Sequence, residues 1–271
     1  MIRDSAPLAK CSLRQGKPLW VRESTEKTMT VMKRPDPWDF FDRIYCISVD
    51  DRRDRREQAK REFAAVGLGE RLEFVIVVRH PQDPAQGIFE SHLLCLKMGL
   101  AAGARHILIF EDDVIFRKFD PQILHAACSS LRRVDNWNAL FLGAITSGSR
   151  KTGDGSLARI RYRCLSHAYA VNADFGKRLL ALEWSGIPYD GVLRLLNADF
   201  FAVSPMCAFQ GLQESDNRTV MIDRVRRLFG GLPFIQKMNE RYQNHRALII
   251  GVHVVVVGGL TILAWMLGAA R

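Results

Sequence analysis

Three consecutive carboxylates, Glu111, Asp112 and Asp113, interrupt an otherwise apolar stretch running from Ile107 to Phe116. Charge inside such a run is costly unless it is paired, neutralised or bound to a metal. The apolar residues before the cluster, 106–110, read as a buried strand. The carboxylates therefore fall at its carboxyl end, where open α/β sheets bind their ligands. Three hard oxygen donors suit Mg2+ or Mn2+, with the phosphates of a substrate completing the coordination. A plain acidic turn between two strands has the same local pattern, so the surroundings of the triplet decide its meaning.

The elements that would position it follow a regular order. Residues 44–49 form a first strand, ended by the charged run Asp50-Asp51-Arg52-Arg53-Asp54-Arg55-Arg56. A helix follows, with Ala59, Phe63 and Val66 on one face and Gly67 as its stop. Residues 72–78 are a second strand. Residues 90–102 read as a second helix, with Leu93, Leu96 and Leu100 in one stripe and Gly103 at its end. Strand, helix, strand, helix, strand is the rhythm of a parallel sheet with a nucleotide-sized crevice at its strand ends. Beyond it, Asp120 caps a helix with Pro121 in first position, running to about Arg133. Residues 139–142 form a short strand, and the Gly/Ser/Thr-rich residues 145–155 read as a loop long enough to cover a site. Residues 169–171 form another strand. Asn172 caps a helix to about Trp184, Ile187-Pro188-Tyr189-Asp190 leads into a short helix, and residues 200–203 are a late strand.

With 271 residues and 48% hydrophobic content, the chain can bury one full α/β core plus appendages. The net charge of +10 fits nucleic acid, a membrane surface or an anionic substrate. The six cysteines, at positions 11, 46, 95, 128, 164 and 207, have no metal-ligand spacing and are expected to stay reduced. No apolar run lies near the amino terminus, so a secretory signal is not expected. Residues 1–37 read as a basic, disordered leader, 38–217 as the folded domain and 218–246 as a basic juxtamembrane segment. Residues 247–268 contain no charged side chain and are long enough to span a bilayer.

Several motifs, in order across about 41–217, resemble glycosyltransferase family 25. They are Phe41-Asp42-Arg43-Ile44-Tyr45 through Arg55-Arg56, Gly87 with Ser91-His92, and Ile109-Phe110-Glu111-Asp112-Asp113-Val114. Further on come Trp137 with Leu140-Phe141-Leu142-Gly143, His167-Ala168-Tyr169, Pro188 with Asp190, and Pro205, Gln210 and Ser215-Asp216. Members include bacterial lipopolysaccharide galactosyltransferases and collagen galactosyltransferases. The resemblance implies a GT-A fold (a Rossmann-like mixed sheet), a UDP-sugar donor, most often UDP-galactose, Mn2+, and inversion at the anomeric carbon. The chain departs from the family pattern at Ile88, Glu90 and Ser48.

On that reading Asp113 is a metal ligand and Asp216 a second candidate, with Asp112 or Glu111 meeting ribose or a metal-bound water. Asp190 is the candidate base for the acceptor hydroxyl, or else a helix cap. Asp50 and the arginines around Arg55 could hold uridine and diphosphate, or be a solvated helix start. Ser91, His92 and His167 are donor-site candidates, with a helix cap and core positions as their plainer readings. The expected partners are a UDP-sugar, a saccharide or glycolipid acceptor, and a membrane. Nucleic acid is not expected, because the basic residues are dispersed and carry no recognition motif. A binding protein of the same fold without turnover is the competing class.

Overall fold

A computed structural model describes residues 36–211 and 231–269. A short 3-10 turn, Pro37–Phe40, capped by the Asp36 side chain, drives Trp38 and Phe40 into the core. The parallel half follows: β1 (Arg43–Val49), α1 (Arg53–Ala65), β2 (Leu72–Val77), α2 (Pro84–Ala101) and β3 (His106–Glu111). β1 lies between β2 and β3 and is parallel to both, in register from Ile44 opposite Leu72 and from Arg43 opposite Ile107. α1 buries Ala59 and Phe63 and is closed by Gly67, whose φ of +79° disfavours a side chain.

α2 starts earlier than the sequence reading places it. Asp83 accepts a hydrogen bond from the Ala85 amide and Pro84 takes the first helical position, the same cap-and-proline signal that marks the helix start at Asp120-Pro121.

After β4 (Val114–Phe116) and α3 (Pro121–Leu131) come β5 (Ala139–Phe141), β6 (Ile145–Thr152), β7 (Leu157–Cys164) and β8 (Ala168–Asn172). α4 (Ala173–Leu180), α5 (Tyr189–Leu195), β9 (Phe200–Val203), β10 (Ala208–Gln210) and α6 (Gly231–Ala269) complete the described elements. The main sheet has eight strands in the order β2-β1-β3-β8-β5-β9-β7-β6, and β4 pairs with β10 in a small ribbon. β8 runs antiparallel to both β3 and β5, which makes the expected α/β sheet a mixed one.

Alternation along β3 sends Leu108 and Phe110 to one face and Ile107 and Ile109 to the other. Two cores result: one under α1 and α3 with Trp38, Phe63 and Leu124, the other under α2, α4 and α5 with Phe89, Leu96, Phe175 and Leu193.

Two expectations are corrected. Residues 145–155 do not form a covering loop; they are β6 and the turn of a hairpin with β7. The polar composition of β6 misleads because it is an edge strand. The pairing signal lies in β7, whose Ala158, Ile160 and Tyr162 face inward while Arg159, Arg161 and Arg163 face out. The helix capped by Asn172 ends at Leu180, short of Trp184.

The edge of β6 is covered by α6. Gln236 is fully buried and donates to the Ala208 carbonyl. Asn239 accepts from the Thr146 amide and donates to the Thr146 carbonyl, both at 2.9 Å, as a neighbouring strand would. Glu240 accepts from the Met206 amide at 2.7 Å, and Ser149 donates to the Asn244 side chain at 3.2 Å. The helix leaves regular geometry at His245 (φ −118°, ψ 16°). Beyond it, Leu248, Val255, Leu260, Trp265 and their apolar neighbours are exposed. An 18-residue window there has mean hydropathy 2.5 and no buried part, so the expected long apolar helix is present. Its first turns, 231–244, pack on the domain, whereas the sequence reading treats them as a separate juxtamembrane segment. Residues 1–35 of the leader, 218–230 of the juxtamembrane segment and Asp216 lie outside the described residues.

Candidate active site at the carboxyl end of β3

Glu111 is the last residue of β3, opposite Ile47 of β1, and its amide donates to the His167 carbonyl at 2.9 Å. From there the chain leaves the sheet, and the three carboxylates diverge into different surroundings.

Asp112 turns beneath β1 and is buried. The Ser48 hydroxyl donates to its Oδ2 at 2.7 Å, and the Arg55 guanidinium stands 3.6 Å from its Oδ1. Arg56 donates to Ser48 Oγ at 3.1 Å and to the Val49 carbonyl at 2.7 Å, fixing the end of β1. Burial raises the Asp112 carboxyl above its usual range, with Ser48 and Arg55 pulling the other way.

Asp113 is held from the opposite side. Its carbonyl accepts from Gly211, where a Cβ would sit only 2.9 Å from that oxygen, so the ribbon closes here around a glycine. Gln210 of β10 donates to Oδ2 at 2.9 Å, while Oδ1 is buried with no hydrogen-bond partner among the described residues. Burial, reinforced by Glu111, pushes this carboxyl up to about 7, against the pull of Gln210.

Glu111 keeps 27% of its side chain exposed and turns toward Ser166 and His92. Ser166 donates to its Oε1 at 3.3 Å, and His92 Nε2 lies 3.6 Å away. Burial, with the charge of Asp190 added, raises it to about 7.

Asp190 is the second residue of α5, yet it does not cap that helix, whose cap position is Pro188. Its carboxylate instead receives the Tyr162 hydroxyl at 2.5 Å and the Leu165 amide at 3.0 Å. The same carboxylate perturbs Glu111, His92 and His167, which places it in the cluster.

His92 is fully buried and stacked on Tyr189 at 4.2 Å. Its Nδ1 meets the Tyr169 hydroxyl at 3.1 Å, which in turn meets the Tyr189 hydroxyl at 2.7 Å. Burial lowers the imidazole to about 3, so the ring is neutral, and the edge facing Glu111 is Nε2. His167 is buried and neutral, lowered to about 4 by burial. Its ring nitrogens make no hydrogen bond of ordinary geometry among the described residues, though the Ala208 backbone opposes the lowering.

Of the predicted residues, Glu111, Asp112, Asp113, Arg55, His92, His167 and Asp190 are therefore brought together. Two stand apart from the cluster's hydrogen bonds. The Ser91 hydroxyl donates to the Gly87 carbonyl inside its own helix at 2.6 Å, and is not a cap, since that helix starts at Pro84. Asp50 is exposed in the turn after β1 and accepts from the Asp51 amide. Tyr162, Ser166 and Tyr169 have no role in the sequence reading. Tyr162 follows a stretch read as loop, and nothing local marks which inward tyrosine will meet a carboxylate from another element.

Among the described residues no three His, Cys, Asp or Glu side chains converge into a ready-made metal cage. The arrangement instead offers a buried, partnerless oxygen on Asp113 beside Glu111. This fits a cation that takes its other ligands from phosphate and water.

No protein-family model and no curated protein sequence matches the chain. Solved structures similar to it include A197 from STIV, at 14% identity and TM-score 0.38, covering 62% of this chain and 84% of that one. Another is mannose-1-phosphate geranyltransferase from Thermus thermophilus, at 12% identity and TM-score 0.37, covering 59% and 73%. A third is a glycosyltransferase involved in glycosylating the major capsid of PBCV-1, at 12% identity and TM-score 0.32, covering 51% and 63%. At such TM-scores the likenesses carry no functional weight.

Proposed function

We propose that the chain is a membrane-anchored GT-A-type glycosyltransferase of the family 25 kind, moving a hexose, most often galactose, from a UDP-sugar to a saccharide or glycolipid acceptor. The observation that carries this reading is the asymmetry of neighbouring carboxylates. Asp112 is occupied by Ser48 and faced by Arg55, whereas Asp113 presents a buried oxygen that nothing in the described protein satisfies. A buried carboxylate oxygen left open at a strand end is a place for a cation.

Asp113, with Glu111 beside it, would hold Mn2+ or Mg2+, and Asp216 is a further candidate ligand. When bound, such an ion offsets the negative charge that develops on a departing diphosphate. Arg55 and Arg56, fixed at the end of β1, line the approach a diphosphate would use, with Asp50 at its rim. Asp190 is the base. Tyr162 and Leu165 orient its carboxylate, which takes the proton of the acceptor hydroxyl. The hydroxyl oxygen bonds to the anomeric carbon, the carbon–phosphate oxygen bond breaks, and UDP leaves with inversion. Neutral His92, locked by Tyr169 and Tyr189, keeps Glu111 facing the donor space; His167 packs behind it.

Residues 247–268 are the anchor. At about 1.5 Å per residue they span roughly 33 Å, matching a hydrocarbon core of about 30 Å. Lys237, Arg241 and Arg246 lie close before the segment, which favours a cytoplasmic catalytic domain. Much of the net positive charge thus belongs beside a membrane, with no nucleic acid required.

The test uses the full chain in detergent. UDP with Mn2+ should raise its melting temperature, by about 2.7 kcal/mol of stabilisation at a hundredfold excess over Kd. Slow hydrolysis of a UDP-sugar should accompany it, and EDTA should remove both. Absence of any UDP-linked stabilisation sinks the reading, and stabilisation without hydrolysis or transfer points to the binding protein instead.

A further inference from the structure

The charged patch that the proposed chemistry leaves unused lies on the β6–β7 hairpin. Arg150 and Arg159 stand directly opposite each other across the two strands, with Arg161 two residues along on the same face. Like charges in that position repel. Arg159 is offset by Asp199 at 2.5 Å, whereas exposed Arg150 and Arg161 make no ion pair among the described residues. Exposed Lys151, opposite Ala158, points to the other face of the hairpin, on the side of Glu240. Such a set is favourable where an anionic surface covers it.

The docking of α6 shows which surface that is. Gln236 lies against Gly143, Asn239 bonds Thr146, and Asn244 meets Ser149, so helix and chain advance in the same direction. Asn244 is level with Ser149, so Lys151 and the hairpin turn at Gly153 lie beyond the last docked residue of α6, toward the start of the uncharged segment. The start of that segment marks the level of the lipid phosphates.

We propose that the β6–β7 hairpin is a second membrane contact, in which Arg150 and Lys151, on opposite faces of β6 beside the turn, bind the phosphates of anionic lipids next to the point where α6 enters the bilayer. The inference rests on the anchor reading above. Helix and hairpin together give two points of attachment, which fix the rotation of the domain about the anchor where a single helix would leave it free to swivel.

The test is amine-acylation footprinting of the full chain in nanodiscs of phosphatidylcholine alone or with phosphatidylserine added. Lys151 should react more slowly in the anionic discs, by about fivefold for each basic side chain held at the surface. Lys97 on α2 and Lys177 on α4, both exposed, should react equally in the two. Arg150→Gln should reduce the protection of Lys151, and high salt should remove it. Equal reactivity of Lys151 in both discs overturns the hairpin contact while leaving the anchor in place. A full chain that never enters discs overturns the anchor and this inference with it.

Discussion

At the carboxyl end of β3 the clustered polar groups are mostly ionisable: three adjacent carboxylates, of which Asp112 is buried, Arg55 and two buried histidines, with one Asp113 oxygen left without a partner among the described residues. At the far edge of the sheet, where α6 lies along β6, they are chiefly neutral amides. Gln236, Asn239 and Asn244 bond backbone or hydroxyl groups there. Neutral amides cost little to bury once paired, and their geometry fixes position. Buried carboxylates are costly even when paired, and are kept where their charge has a use. The first region holds unspent capacity on groups that carry charge. In the second, Gln236 Oε1 and Gln243 Oε1 also lack a partner among the described residues, but they are neutral, and the remaining amide contacts serve attachment. Mutations should separate the two, activity falling without stability in one and stability without activity in the other.

The largest effect is expected at Asp113. Asp113→Asn keeps an acceptor for Gln210 but removes the charge, so transfer should be abolished with the fold intact. Stability in EDTA should move the opposite way. The folded-state value, raised to about 7 from 3.8, means that Asp113 costs stability progressively as pH rises from about 3.8 to about 7, with the full cost present above about 7, where it is ionised in place. The variant should therefore melt higher than wild type at pH 8, with the gain shrinking toward pH 5, where the wild-type group takes up its own proton. A variant that melts lower at pH 8 would mean the carboxylate is structural.

Asp190→Asn comes next. A base contributes typically about 10²–10⁴ to rate, so turnover should drop by that factor while UDP-induced stabilisation persists. An asparagine can accept from Tyr162 or Leu165 but not from both, which costs about 1–2 kcal/mol of stability. Loss of stability with turnover retained would leave Asp190 as only a fastener between α5 and β7.

Asn239→Ala probes the other region. It strips the Thr146 amide of its partner and leaves the Thr146 carbonyl to Gln243 at 3.2 Å, costing about 1–2 kcal/mol. At about 2–4 °C per kcal/mol for a domain of this size, the melting temperature should fall by several degrees. Specific activity per folded molecule should be unchanged. A drop in kcat at full folding would mean that the α6 docking, through Ala208 and β10, also sets the position of Gln210 and Asp113.

The same contrast explains what could be read from the sequence. The parallel half was legible because its signals are local: apolar strands, one-faced helices, a glycine stop and a carboxylate run at a strand end. The core of the site was legible for the same reason, since Glu111, Asp112 and Asp113 are contiguous. What held them was not. Ser48 reaches Asp112 from 64 positions away, and Gln210 reaches Asp113 from 97. The hairpin was missed because an edge strand covered by a polar helix need not be apolar, and Asn239 completes its hydrogen bonds with a side chain that looks like any surface residue.

Ser91→Ala should have the smallest effect and is the sharpest check on sequence-only reasoning. Position 91, beside His92, reads as a donor contact, yet its hydroxyl is spent on the Gly87 carbonyl one turn back in α2, on a buried face. Such back-bonding within a helix adds little, and alanine is the better helix former. The change should thus lie within about 1 kcal/mol in either direction, with KM for the UDP-sugar and kcat both unmoved. The adjacent His92→Ala, by contrast, opens a fully buried space beside Glu111 and removes the hydrogen-bond partner at the end of the Tyr169–Tyr189 chain, so it should lower both stability and turnover. A tenfold rise in KM for Ser91→Ala would show that the hydroxyl turns to meet the donor, and that the crevice between α2 and β3 rearranges when the nucleotide sugar enters.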